Sequence, residues 1–234
     1  MSEEPIPTPE LPSSTQLIIT LSLVAMISGL LVVLVYEVTK PIIAENQRIA
    51  TERAIFKVLP QAVKRLTFKV SGEQLIPVDD KASGELIYAG YDKHNKLVGL
   101  ALPAAAQGYQ DTVKILYGYN PYSGCITGFD VLKSTETPGF GTQITTNEDF
   151  LANFSCLDAK VDAELKQLAH PIKTVRHGSK NKPWEIDAIA GVTITSNAVG
   201  RMLNKSGQTL HPVIAKNLTL LEQAAANSKE ENHE

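Results

Sequence analysis

The chain has few of the residues that build disulfide frameworks, metal clusters or nucleic-acid surfaces. Its 234 residues include only Cys125 and Cys156, too few for a disulfide framework or a four-cysteine zinc site. We expect both cysteines to be small, buried apolar side chains. Five histidines without short spacings argue against a helical metal motif. A net charge of −3, from 22 basic and 25 acidic residues, predicts no nucleic-acid partner.

Charge is also missing from one long N-terminal stretch. No charged residue lies between Leu11 and Tyr36, and the 20 residues from Leu17 are almost entirely apolar. Twenty helical residues span about 30 Å, the thickness of the hydrocarbon core of a bilayer. A cleaved signal peptide would need a basic flank and a small-residue cleavage site, whereas this flank is acidic. We therefore predict a retained transmembrane helix at residues 16–37.

The charges that flank this helix give a weak indication of its orientation. No lysine or arginine precedes it, whereas Lys40, Arg48 and Arg53 follow it. Taken alone, the positive-inside rule would leave the large C-terminal part in the cytoplasm. Because long domains are translocated regardless of a small charge bias, the residues themselves leave the side of the membrane open.

The remaining chain divides by composition into tails, a stalk and one domain. We predict a disordered tail at residues 1–15, a helical stalk at 38–59 that starts near Pro41, a domain at 60–222 and a flexible tail at 223–234. Alternating apolar runs joined by turn residues predict antiparallel strands, and spacings of three and four residues predict helices. The expected strands are Leu86–Tyr91, Leu97–Leu102, Val113–Tyr119, Ile126–Leu132 and Glu185–Ile189, and the expected short helices are Asp149–Phe154 and Val161–Leu168.

A final amphipathic helix completes the prediction. Its apolar residues recur from Val199 to Leu218; Thr195 or Ser196 is expected to cap its start, and Pro212 to kink or divide it. The fold class is therefore α+β: one N-terminal transmembrane helix, then a domain with an antiparallel sheet and flanking helices.

Two segments of this domain are candidates for chemistry. The stretch from Asp187 to Ser196 runs from a strand through Gly191 to hydroxyl residues at a helix start, where unpaired amides and the helix dipole favour a phosphate. Simple capping of the helix is the structural alternative. The second segment, from Glu136 to Gly141, reads Glu-Thr-Pro-Gly-Phe-Gly and predicts a loop that can approach a flat ligand, or else an ordinary turn.

Together these segments resemble a known family. The chain is similar to the covalent-FMN subunit shared by the Rnf ion-translocating electron-transport complex, as its G subunit, and the sodium-translocating NADH:quinone reductase, as its C subunit. The family's flavinylation motif, Asp-x-x-(Ser/Thr/Ala)-Gly-Ala-Thr, is matched from Asp187 to Thr193, with Val192 where alanine is usual. Three further segments also match the family: the Glu136–Gly141 loop, residues 36–45 at the end of the transmembrane helix, and Gly108-Tyr109. After Tyr109, Gln110-Asp111 replaces the expected Ser-Gly.

The resemblance implies a cofactor and the residues that hold it. In the family, the threonine hydroxyl at the position of Thr193 forms a phosphoester to FMN, attached by a separate flavin transferase that uses FAD and Mg²⁺ and releases AMP. Asp187 would place the acceptor loop or contact the transferase. The flavin ring would lie between the Thr193 turn and the 136–141 loop. The other implied cofactor-binding residues are Gly191, Thr195, Glu136, Thr137, Gly139 and Gly141, with Thr142 a further candidate. Neither catalytic residues nor metal ligands are implied, and Trp184 and Tyr109 are expected to serve in packing.

The resemblance also implies a function and a location. The chain would be an electron-carrying subunit of an Rnf-type ferredoxin:NAD⁺ oxidoreductase complex, rather than an enzyme acting alone, bound to the other subunits. Its length favours the Rnf protein over its quinone-reductase counterpart. The family places the domain on the periplasmic side of the inner membrane, against the weak charge bias. Two alternatives remain: a membrane-anchored flavin-binding sensor, and a structural subunit whose Thr193 is never modified.

Overall fold

The structure, a computed structural model, describes residues 13–80 and 82–227. The tail predicted at 1–15 lies outside the described residues up to residue 12, and the tail predicted at 223–234 lies outside them from residue 228 onward. The chain divides into two compact units, residues up to Arg48 and residues from Ile49 onward.

The N-terminal segment is one continuous helix, α1, from Ser14 to Val58. Within the described part of the chain it is the one helix long and apolar enough to cross a membrane. Its most apolar window of 18 residues has a mean hydropathy of 2.8, and none of these residues is buried against the rest of the protein. Pro41 lies inside this helix, so no helix begins at the predicted position. A proline in a helix interior removes one backbone donor, yet α1 continues beyond it.

A mixed α+β domain follows, and the predicted antiparallel sheet is confirmed. The described residues form a seven-stranded antiparallel sheet in the order β2-β1-β3-β4-β5-β6-β7, and β8 and β9 form a separate parallel pair. The strands are β1 (Lys64–Ser71), β2 (Gln74–Pro77), β3 (Leu86–Tyr91), β4 (Leu97–Gln107), β5 (Thr112–Asn120), β6 (Cys125–Lys133), β7 (Leu157–Asp158), β8 (Lys173–Val175) and β9 (Glu185–Asp187). The helices after α1 are a 3₁₀ turn at Gly141–Thr145, α2 (Glu148–Ala152), α3 (Thr193–Lys216) and α4 (Leu218–Asn227).

The long helix α3 packs across one face of the sheet and builds the main core. Its buried side chains, including Val199, Leu203 and Leu210, meet the inward-facing residues of the central strands, such as Leu100 and Ile115. Each fully buried side chain of this size contributes roughly 2 kcal/mol to stability. The core thereby fixes the start of α3 against the strand ends that carry the candidate site.

The opposite face of the sheet is covered in part by the last turns of α1. Ile55 and Val58 form a smaller apolar cluster there with Ala101 and Leu116. Gly118 lies beneath this helix end, and a side chain at that position would meet the carbonyl oxygen of Val58 at 2.6 Å. A glycine is therefore required where the helix approaches the strand.

Three local predictions are wrong for identifiable reasons. Residues 161–168 are not helical; the Asp162 carboxylate accepts the amide of Lys166 at 2.9 Å and closes a compact loop there. Helix α3 is not divided at Pro212: it continues to Lys216, and Asn217 is its C-cap residue. The two cysteines are not separate buried apolar side chains: Cys125 is buried but Cys156 is exposed, and the two form a disulfide with a Cα–Cα distance of 5.0 Å.

The C-terminal helix α4 overlaps the predicted flexible tail. Residues 223–227 are helical, and Ala225 and Leu221 are fully buried in the main core. Asn217 separates α4 from α3, and its side-chain amide donates to the carbonyl oxygens of Val213 and Glu73, both at 2.8 Å. The small apolar residues of this segment therefore extend the core.

A buried histidine connects α3 to the sheet. The Nδ1 atom of His211 lies 3.0 Å from the carbonyl oxygen of Ala159, and its Nε2 atom lies 3.1 Å from the Tyr117 hydroxyl. Because a carbonyl can only accept, Nδ1 carries the proton and Nε2 accepts from Tyr117. The ring also stacks on Tyr119 at 3.7 Å. Complete burial lowers the pKa of His211 to about 4.

This histidine should make the stability of the domain depend on pH. In the unfolded chain the His211 ring has a pKa near 6.5, whereas in the folded chain it stays neutral until about pH 4. Between these pH values the unfolded chain therefore binds one more proton than the folded chain. Stability is therefore greatest above pH 6.5 and falls as the pH drops towards 4, by about 2 kcal/mol between pH 7 and pH 5. Denaturant unfolding at both pH values would measure this loss. In His211→Gln the difference between the two pH values should shrink by most of that amount, and an unchanged difference would contradict the assignment.

Candidate functional site

The first part of the site is the turn between β9 and α3, residues 188–192. The amide of Val192 donates to the carbonyl oxygen of Ile189 at 3.1 Å, and Gly191 adopts a left-handed conformation with φ of +80°. The hydroxyl of Ser196 accepts the amide of Ile189 at 3.2 Å and donates to the carbonyl of Val192 at 2.9 Å. The turn is thus fixed to the first turn of α3.

This geometry overturns the predicted cap of the last helix. Helix α3 begins at Thr193, and Val192 occupies the cap position without a side-chain hydrogen bond. Thr195 and Ser196 lie inside the first helical turn and are buried. Their hydroxyls hold the surrounding loops instead of capping the helix.

Thr193, the first residue of α3, is the exposed hydroxyl residue that follows this turn. Its side-chain oxygen makes no hydrogen bond among the described residues, and it lies at the N-terminus of α3. The first amides of a helix have no partner within the helix, and the helix dipole is positive there. Two residues earlier, Gly191 faces open space: a side chain there would meet nothing within 4 Å. An anionic group can therefore approach the Thr193 hydroxyl without obstruction.

The second part of the site is organised by Glu136, whose side chain is buried. One carboxylate oxygen accepts the amides of Tyr109 at 2.8 Å and Gln110 at 3.1 Å. The other accepts the hydroxyl of Thr195 at 2.7 Å. The carboxylate therefore accepts three hydrogen bonds from two separate segments, residues 109–110 and the start of α3. These bonds join both segments to the 136–141 loop.

Further contacts define the shape of that loop. Gly139 is left-handed, with φ of +78°, and its amide donates to the Thr142 hydroxyl at 3.0 Å. The side-chain amide of Gln110 donates to the Thr137 hydroxyl at 3.0 Å and crosses from one loop to the other. Gln110 is a departure from the family pattern, and in this chain its side chain ties two walls of the site together.

These two parts enclose a cleft of about 430 Å³. Six of the predicted cofactor-binding residues meet here. The lining residues are Tyr109, Glu136, Thr137, Phe140, Gly141, Gly191, Val192, Thr193, Ile194 and Thr195. The lining contains no lysine or arginine among the described residues, so the amides at the start of α3 provide its positive potential.

Some residues lie where the sequence did not predict them. Tyr109 was assigned to packing, but it is largely exposed and lines the cleft together with Phe140 and Ile194. The match of Gly108-Tyr109 to the family pattern was the sequence signal that could have placed Tyr109 at the site. Trp184 stacks on His170 at 3.8 Å and does not line the cleft. Gly139 shapes the loop without lining the cleft.

Asp187 lies beside the cleft rather than in it. One of its carboxylate oxygens accepts the amide of Gly178 at 3.0 Å and lies 3.5 Å from Nδ1 of His177. The other oxygen is buried and has no hydrogen-bond partner in the described structure. The main chain of Asp187 is bound on both sides by the Asn153 side chain, at 3.0 and 3.3 Å. The residue therefore anchors the entrance to the β9–α3 turn.

The left-handed glycine of this turn offers a test of its shape. Gly191→Ala places a side chain at φ of +80°, which should destabilise the fold by about 1 kcal/mol and shift the Thr193 main chain. Gly72→Ala is the matched control, because Gly72 has φ of +61° and equally open surroundings in the β1–β2 turn. Unfolding measurements should give similar losses for both variants, whereas the yield of the covalent FMN that the family resemblance implies at Thr193 should fall for Gly191→Ala alone. Equal flavin yields would contradict a role for the turn.

The fold and the cleft define the class of protein. The structure is similar to NqrC of Shewanella oneidensis, with a TM-score of 0.53 and 16% identity, covering 78% of this chain and 99% of that one. The NqrC counterpart from Parabacteroides distasonis, a component of the Na⁺-translocating NADH-quinone reductase, gives a TM-score of 0.54 at 15% identity, covering 72% and 94%. The model of the FMN-binding domain matches residues 108–207, and this range contains the whole cleft.

The relatives in sequence identify the family. The model of the RnfG N-terminal region matches residues 19–58. The chain is 31% identical over 186 residues to the G subunit of the ion-translocating oxidoreductase complex of Methanosarcina acetivorans, covering 79% of this chain and 88% of the relative. It is 27% identical over 179 residues to the G subunit of the proton-translocating ferredoxin:NAD⁺ oxidoreductase complex of Clostridium ljungdahlii, covering 76% and 82%. The chain belongs to the RnfG family, the G subunits of Rnf complexes, and carries an FMN-binding domain.

Proposed function

We propose that this chain is the electron-carrying subunit of a membrane-bound, Rnf-type ion-translocating oxidoreductase complex, with FMN held through a phosphoester to Thr193. The observation that carries the proposal is the exposed, unbonded Thr193 hydroxyl at the start of α3, on the wall of the cleft. When bound, FMN supplies the capacity to accept and donate single electrons.

The residues of the cleft suit both ends of such a cofactor. The start of α3 and the open space beside Gly191 suit the phosphate, because amides and the helix dipole stabilise an anion. Tyr109 and Phe140 provide apolar and aromatic walls for a flat ring system. The volume of about 430 Å³ is within the range of small-molecule pockets.

Attachment requires a group-transfer step at the Thr193 oxygen. In the proposed reaction, this oxygen bonds to the FMN phosphorus of FAD, the bond to the AMP phosphate breaks, and the hydroxyl proton is released. A separate flavin transferase with Mg²⁺ would catalyse the step. The chain's own contribution is positional: β-branched Thr193 limits the directions of its hydroxyl, and Gly191 leaves the approach free.

The other cofactor residues are proposed to position the site. Glu136 accepts three hydrogen bonds, which join its loop to Thr195 and to residues 109–110. Thr137 and Gly141, on the same loop, form the wall of the cleft opposite Thr193. Gly139 gives the loop its left-handed bend. Asp187 anchors the β9–α3 turn through its bonds to the Gly178 amide and the Asn153 side chain.

We further propose that the domain lies on the periplasmic side of the inner membrane. The charges around the apolar helix favour the opposite side only weakly, through three residues. The disulfide between Cys125 and Cys156 supports the periplasmic side, because disulfides persist in oxidising compartments and are rare in the cytosol. Thr146→Cys, introduced into the chain with Cys125→Ala and Cys156→Ala, should be labelled by a membrane-impermeant maleimide in intact cells, and protection of this thiol until the cells are lysed would contradict the periplasmic location.

Intact-protein mass spectrometry tests the proposed cofactor linkage. The full-length chain should be expressed together with a flavin transferase and purified from the membrane. Its mass should exceed the sum of its amino acids by one FMN less one water. The same chain made without the transferase is the control and should show no increase. An unmodified mass in both preparations would contradict the proposal and favour a purely structural subunit.

A further inference from the structure

The disulfide closes the segment of the chain that forms one side of the cleft. Cys125 begins β6 and Cys156 follows α2, with a sequence separation of 31. The enclosed residues 126–155, which we call the clasped segment, include the 136–141 loop, the 3₁₀ turn and α2. The covalent bond thus joins the two ends of this segment.

The clasped segment holds the β9–α3 turn from both of its ends. On the α3 side, the carboxylate of Glu136 accepts the hydroxyl of Thr195 at 2.7 Å. On the β9 side, the buried side chain of Asn153 accepts the amide of Asp187 at 3.0 Å and donates to its carbonyl at 3.3 Å. The position of Thr193, between these contacts, therefore depends on how firmly the clasped segment is seated.

The two cysteines differ in their access to solvent. Cys156 is exposed, whereas Cys125 is buried in the edge of the sheet at 5% exposure. In the folded chain, Cys156 is therefore the cysteine that an exchange partner can approach. This asymmetry favours Cys156 as the first cysteine to react.

We propose that Cys125 and Cys156 are an oxidative modification site, and that closing their disulfide precedes and promotes flavin attachment at Thr193. The partner is an oxidised dithiol carrier outside the cytoplasm. The Cys156 thiolate attacks the disulfide of the carrier and forms a mixed disulfide, which releases one carrier thiolate. The Cys125 thiolate then attacks the Cys156 sulfur and releases the second carrier thiolate. The chain loses two electrons and two protons, and the carrier becomes a dithiol.

The physical reason is the freedom of the open segment. Closing a loop of this length removes many conformations that place Glu136 and Asn153 away from the turn. In the reduced chain, the β6–β7 pairing and the packing of Phe150 and Phe154 still hold the segment, but without the covalent tie at its exposed end. The Thr193 main chain should then be correctly placed for a smaller fraction of the time. The proposal rests on the proposed flavin acceptor, Thr193.

The test measures flavin attachment as a function of the thiol state. The full-length chain, purified from the membrane without flavin, should be divided into oxidised, reduced and reoxidised samples and given flavin transferase, FAD and Mg²⁺. We expect the initial rate of attachment to fall about tenfold on reduction and to recover on reoxidation. Cys125→Ala with Cys156→Ala should match the reduced sample, while Ser155→Ala, an exposed neighbour, should match the oxidised one.

Each outcome separates this inference from the proposed function. Equal rates in oxidised and reduced samples would overturn the inference and leave the flavin linkage intact. Labelling of Cys125 or Cys156 by a membrane-impermeant maleimide in intact cells would show free thiols and would overturn the inference in the same way. If the double variant fails to fold, the reduction and reoxidation of the unaltered chain still decide the question. Absence of flavin from every sample, the oxidised one included, would overturn the proposed function itself.

Discussion

Replacing Thr193 with alanine should abolish the covalent flavin. The hydroxyl oxygen is the atom that would bond to the phosphate, and no other hydroxyl in the first turn of α3 can take its place. Thr195 is buried and donates to Glu136, and Ser196 is buried and occupied by main-chain groups of the β9–α3 turn. Chains coexpressed with flavin transferase should be separated on a denaturing gel, where only a covalent flavin stays fluorescent. Thr193→Ala should show no fluorescent band.

Two further variants sharpen this result. Thr193→Ser keeps the oxygen but loses the β-branch, so it should carry flavin at a reduced yield. Thr146→Ala removes another exposed threonine hydroxyl, outside the cleft lining, and should leave the yield unchanged. A fluorescent band of normal strength from Thr193→Ala would show that the flavin is attached elsewhere in the chain.

The sequence was sufficient to predict the cleft but not all of its walls. The family resemblance implied that the flavin ring would lie between the 136–141 loop and the Thr193 turn, and the structure brings Glu136 and Thr137 together with Thr193. Tyr109 was missed because an exposed tyrosine and a packed one have the same local pattern. Its placement depends on the hydrogen bond that its main-chain amide donates to the carboxylate of Glu136, 27 residues away in the chain.

Long-range contacts also explain the other errors. Periodicity predicted the strands that became β3 to β6 and the helix α3, because these elements each bury a continuous face. The position of Asp187 beside the cleft is set by Asn153 and Gly178, which no local pattern connects to it. The disulfide escaped prediction for the same reason: two cysteines separated by 31 residues give no indication of their pairing.

Removing the buried carboxylate of Glu136 should have the second large effect. In Glu136→Ala the hydroxyl of Thr195 loses its acceptor in a buried position, and the amides of Tyr109 and Gln110 lose theirs in a partly buried one. Unsatisfied buried donors are costly, and we expect a loss of about 3 kcal/mol in the free energy of unfolding. Denaturant unfolding of the full-length chain in detergent would measure it. The chains that remain folded should also accept less flavin, because the two walls of the cleft are no longer joined.

The matched variants separate the carboxylate's charge from its hydrogen bonds. In Glu136→Gln the amide oxygen can still accept both main-chain amides and the NH₂ group can donate to Thr195, so a loss of only about 1 kcal/mol is expected. Thr195→Val removes one donor of the three and should also cost about 1 kcal/mol. Glu164→Ala breaks an exposed pair with Lys166 and should cost almost nothing. Should the alanine variant at 136 prove no less stable than the glutamine variant, the three hydrogen bonds do not hold the cleft together, and the 136–141 loop is kept in place by packing alone.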